Sequence, residues 1–136
     1  MVQQGLYKEL LSLIVPKEIT QDFELKEIIE KANMITLYFE ELPDRIPKEL
    51  QGKEVVMDGF INQLELQTFP LKDKTVHIAI RRRRWKAKGE INQSYSNNYD
   101  LHLEGMKTTK EFGAFLKEEL GLQPDEYNKL WESLAG

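Results

Sequence analysis

Residues 75–89 read TVHIAIRRRRWKAKG, an apolar alternation that runs straight into four arginines and a tryptophan. Side chains alternate across a strand, so Val76, Ile78 and Ile80 share one face, and that face continues into Arg82 and Arg84. His77, Ala79, Arg81, Arg83 and Trp85 occupy the other. Burying four unpaired guanidinium groups is prohibitively unfavourable. The core is therefore expected to stop near Ile80, and the strand, spanning 75–84, to project beyond it into solvent or against a partner.

Working outward, 55–62 and 64–69 read as two preceding strands, with turn chemistry at Gly59 to Asn62 and at PLKDK (70–74). YDLHL (99–103) reads as a further strand after the polar loop KGEINQSYSNN. Together these segments suggest a β-meander with the arginine strand near an edge. Upstream, ITLYF (35–39) is rich in β-branched and aromatic residues, and 23–41 reads as a hairpin turning near Ala32 and Asn33. The competing pattern is a helix face through Leu25, Ile28 and Ile29. Leu6, Leu10, Leu11 and Ile14 recur at helical spacing, which predicts a helix over 3–15 that Pro16 ends and whose leucine face joins the core. LPDRIPKELQGK (42–53) is a proline-containing connector.

At the other end, TTKEF places Thr108 to accept from the Glu111 N–H in a capping box. A helix with Phe112, Phe115, Leu116 and Leu120 on one face follows, and Gly121 is placed to end it. Pro124 then opens a second helix presenting Tyr127, Leu130, Trp131 and Leu134. The expected architecture is α+β: an N-terminal helix, a mainly antiparallel β-meander and a C-terminal helical hairpin. Its regions are 1–42, a connector at 43–54, a ribbon-like basic segment at 55–104, and 105–136, in one compact domain overall.

The 136 residues suit a single domain, and 40% hydrophobic content is that of an ordinary globular protein. Cysteine is absent, which excludes disulfides and thiolate zinc sites. A cytoplasmic address is the expectation, with no leader or membrane span in the pattern. Between Lys72 and Lys88 eight cations face Asp73 alone, a net of +7 in a chain of net −4, so the remainder carries −11. The basic segment is thus the one candidate surface for a polyanion.

Guanidinium forks match phosphate oxygens bidentately, and an adjacent indole can stack on a base. Arg81, Arg82, Arg83, Arg84 and Trp85 are accordingly the candidate DNA-binding residues, with Lys72, Lys74, Lys86 and Lys88 as auxiliary phosphate contacts. The opposing possibility is that the carboxylates of this acidic chain neutralise the run. A helix-turn-helix role for the terminal hairpin conflicts with Asp125, Glu126 and Glu132 against Lys129, a charge balance that phosphates repel. Tyr127 and Trp131 are instead candidate partner-binding residues. His77 and His102 without cysteine make a metal site unexpected. Glu40/Glu41 and Glu118/Glu119 are sequence neighbours that point apart and read as solvated faces. No Gly-rich phosphate loop, nucleophile elbow or HExxH motif occurs, so no cofactor and no catalysis are expected.

The words FPLKDKTVHIAIRRRRW and YDLHLEGMKTTKEFGAFLKE resemble the small N-terminal-region proteins of a bacterial insertion-sequence transposase family, the ISAon type. More distantly, the order of a strand ending in arginines and an aromatic, a loop, a strand and a Thr-x-x-Phe helix is similar to the zinc-ribbon N-termini of larger transposases. In those a cysteine knuckle follows the arginine strand, whereas here Lys86, Ala87, Lys88 and Gly89 stand in its place. The resemblance implies a metal-free ribbon and a non-catalytic, nucleoid-associated role in transposition. Its partners would be the DNA of the element's ends or a separate catalytic transposase subunit.

Overall fold

The computed structural model describes residues 2–121, which form an α+β fold with two sheets. Helix α1 spans Val2–Ser12 and a short α2 spans Lys17–Thr20, the latter capped by the extended backbone of Pro16. Strands β1 (Phe23–Glu30) and β2 (Met34–Glu41) form the expected antiparallel hairpin, with its turn at Ala32 and Asn33. A 3-10 turn at Lys48–Leu50 interrupts the connector. Then come β3 (Val55–Phe60), β4 (Leu64–Leu71), β5 (Lys74–Arg81), β6 (Arg83–Ala87) and helix α3 (Lys110–Glu118).

The expected meander is replaced by a four-stranded sheet of order β1-β2-β5-β4 and a separate two-stranded ribbon, β3-β6. β2 and β5 pair in parallel, so the arginine strand lies centrally and not near an edge. Strand 75–84 is in fact two strands. β4 begins at Leu64 opposite Ile80, and β2 ends at Glu41, so beyond Arg81 the chain has outrun both neighbours. Backbone donors and acceptors demand partners. The chain finds them in β3, where Val55, Val56, Met57 and Phe60 pair with Ala87, Lys86, Trp85 and Arg83.

The large sheet contributes Phe23, Leu37, Phe39, Leu66, Val76, Ile78 and Ile80 to one buried core, which Val15, Ile19 and Leu101 complete. Only Leu11 and Ile14 of the N-terminal leucine face pack onto this core, while Leu6 and Leu10 remain about three-fifths exposed. The expected strand 99–103 does not form. The open side of β4 is taken by the segment before α3, through a Gln67–Thr108 bridge, so Tyr99 and Leu101 reach the core from a loop.

That bridge also moves the helix cap by one residue. Thr108 is held extended beside Gln67, and Thr109 caps α3, its hydroxyl accepting from the Phe112 N–H at 3.4 Å. Phe112, Leu116 and Met106 form a second cluster, with Phe69 edge-on to Phe112 at 5.1 Å between ring centres. Pro124, Tyr127, Leu130, Trp131 and Leu134, and with them the expected second terminal helix, lie outside the described residues. Among those described, no helix is long and apolar enough to cross a membrane.

Candidate functional site

The parallel register of β2 and β5 sets Glu40 beside Arg81, and this register decides the fate of the arginine run. Arg81 donates to the Glu40 carboxylate, and its guanidinium lies over the Phe60 ring, 3.9 Å from the centroid. Arg82 donates to the Asn97 carbonyl and to Asn98 Oδ1, both at 2.9 Å. Arg83 donates from its backbone N–H to Glu41 Oε1 and from Nε to the Glu41 carbonyl, both at 2.8 Å. Arg84 donates to the Asp58 carbonyl at 2.7 Å, with Asp58 Oδ2 at 3.5 Å. Each of the four guanidiniums therefore has an acceptor within the chain, so the run does not project as expected.

Glu41 is the hub. It was expected on a solvated face, yet it is fully buried at the end of β2. A buried carboxylate needs several donors to offset its lost hydration. Arg83 N–H, Asn97 Nδ2 at 2.9 Å and the Tyr99 hydroxyl supply them. Burial, and then the bond to Glu41, hold the Tyr99 hydroxyl well above its ordinary pKa, so it stays a donor. Asn97 Nδ2 also donates to the Arg45 carbonyl, and Arg45 in turn pairs with Asp22 at 2.8 Å. One polar network thus ties the sheet switch to the connector, the 97–99 loop and the start of β1. Glu118 and Glu119, by contrast, are solvent-exposed as expected.

Trp85 is only 7% exposed, in a backbone bridge with Tyr95 (N–H to carbonyl, 2.8 and 2.7 Å), so its face is not offered to a base in this arrangement. Lys74 pairs with Glu30, holding that carboxyl below its usual pKa with a smaller contribution from the field of Lys72. Lys72 itself sits in the β4–β5 turn at φ 58°. Lys88 approaches Glu54 at 3.8 Å, an exposed pair of little energetic weight. The KAKG segment ends the ribbon: Lys86 and Ala87 are paired in β6, and Gly89 turns the chain at φ 87°.

The nine candidate residues are therefore split. The arginines and Trp85 join the two sheets, Lys72 and Lys74 lie at the far turn, and Lys86 and Lys88 lie along the ribbon. Glu40, Glu41, Asp58 and Asn97 complete the site, and sequence reasoning did not single them out as its partners. The signal for Glu40 and Glu41 was the acidic pair closing ITLYFEE, which lies opposite the arginines only once β2 and β5 are known to be parallel, whereas Asp58 and Asn97 carried no such signal. No protein-family model matches the chain, and no curated protein or solved structure does either.

Proposed function

We propose that this protein is a non-catalytic interaction module in which the arginine run is an internal latch, and which docks on a protein partner. The observation that carries this is the balance of charge around the run. The net +7 of residues 72–88 is met in ion pairs by Glu30, Glu40, Glu54 and Asp58, which leaves a surplus of only three. A surface with so small a surplus has little counterion-release free energy to gain from duplex DNA. Given the resemblance to transposase N-terminal regions, the partner in this reading is a separate catalytic transposase subunit.

Direct contact with the ends of the element is the second reading. The half-exposed side chains of Arg81 and Arg84, at 42% and 44%, favour it, because exposed pairs of this kind exchange partners easily. Titration of the full chain with end-sequence and random duplexes at about 50 and 200 mM salt separates the two. Docking predicts Kd values of about 10⁻⁴ to 10⁻⁶ M for both duplexes, together with co-elution with the transposase of the adjacent reading frame. End-specific binding on the order of 10⁻⁸ M, lost on charge reversal at Lys72, Lys86 and Lys88, would establish the second reading instead.

A further inference from the structure

Helix α1 covers only part of the apolar face of the large sheet. Beside it runs an open cleft of about 340 Å³, which crosses all four strands at the end carrying the 31–33 and 72–73 turns. Leu10, Leu11 and Ile14 form one wall, and Leu25, Ile28, Ile35, Leu37, Leu71 and Val76 form the floor. The apolar surface continues past the cleft: Leu6, Leu10 and Leu13 are 60%, 59% and 79% exposed, Ile28 56% and Leu71 41%. Contiguous apolar surface of this kind marks an interaction site. A small ligand filling the cleft would leave Leu6 and Leu13 bare, whereas a helix laid alongside α1 covers wall, floor and flank together.

The rim fixes the sign of the occupant. Lys72 and Lys74 stand at the mouth with Glu30, to which Lys74 already donates, while Asp73 lies between the two lysines in the turn. Lys72 is exposed and has no hydrogen bond or ion pair among the described residues, so with Lys74 committed to Glu30 it stands as a cation at the rim. We propose that this cleft is the docking groove for an amphipathic helix of a partner protein, with an apolar stripe flanked by acidic residues. The proposal rests on the interaction-module reading and names the surface that reading requires.

The probes are fluorescein-labelled helical peptides of about 18 residues, long enough to hold a helix. Both carry leucine at i, i+3, i+4 and i+7, and their flanks are glutamate in one and lysine in the other. Anisotropy with the full chain is expected to show saturable binding of the glutamate peptide, about ten-fold or more tighter than the lysine peptide. Lys72→Glu should abolish or invert that preference. Ile28→Asp and Leu10→Asp, both at exposed positions, should each abolish binding while the far-ultraviolet spectrum stays native.

Equal affinity for the two peptides, no binding, or binding that survives both aspartate variants would overturn the proposal. So would a concentration-dependent dimer of the chain that Leu10→Asp dissociates, since a second copy would then own the groove. Co-elution of the catalytic partner with Ile28→Asp distinguishes the two levels: if it persists, the groove assignment fails and the module reading stands.

Discussion

Gly113 shows how one side chain's absence fixes the packing of α3. A Cβ there would lie 2.4 Å from Thr108 Oγ1 and 2.7 and 2.9 Å from Leu103 side-chain atoms, and Thr108 is fully buried. Thr108 cannot yield, because its carbonyl accepts from Leu103 N–H and its strand position beside Gln67 is fixed. Overpacking of this kind costs about 1–3 kcal/mol. Gly113→Ala is therefore expected to lower unfolding stability by that amount in urea titration, whereas Gly5→Ala, with open space around it, should not. The capping expectation failed at this same residue scale. Thr108 and Thr109 both suit a helix start, and the choice between them rests on Gln67, a residue far away in sequence.

At the scale of elements, local pattern and long-range pairing part company. The 23–41 hairpin was legible because its two strands are sequence neighbours joined by turn residues. The break after Arg81 was not, since alternation continues unbroken through the run and only the lengths of β2 and β4 end the pairing. For the same reason the arginine partners stayed hidden: Glu40 and Glu41 end a strand whose neighbour depends on a parallel crossover, and Asp58 belongs to β3, whose antiparallel partner β6 is not next in sequence. The ribbon that results buries only Trp85, with Val56 and Met57 more than a third exposed. Two-stranded ribbons are marginal on their own. Native-state hydrogen exchange should therefore show the Met57 and Trp85 amides opening well before those of Leu37 and Ile78 in the central strands. Equal protection across both sheets would contradict this ordering.

Over the whole molecule, the four-stranded sheet carries the core, and the polar network around Glu41 fastens the ribbon and the loops to one end of it. The opposite end carries the open cleft beside α1. The basic segment suggested a surface built for a polyanion, and its strand alternation did locate the end of the core at Ile80, which is buried. Beyond Ile80 the arginine run is a joint within the fold, because acidic residues elsewhere in the chain converge on it. The most direct test of this account is the unfolding free energy of Arg83→Met, which keeps the aliphatic stem but removes the Nε donor to the Glu41 carbonyl; the native side chain is 14% exposed. Loss of a mostly buried, charge-assisted hydrogen bond predicts a decrease of about 1.5–3 kcal/mol. Unchanged stability, accompanied by a steep loss of duplex DNA binding, would contradict the internal latch and return the run to the surface.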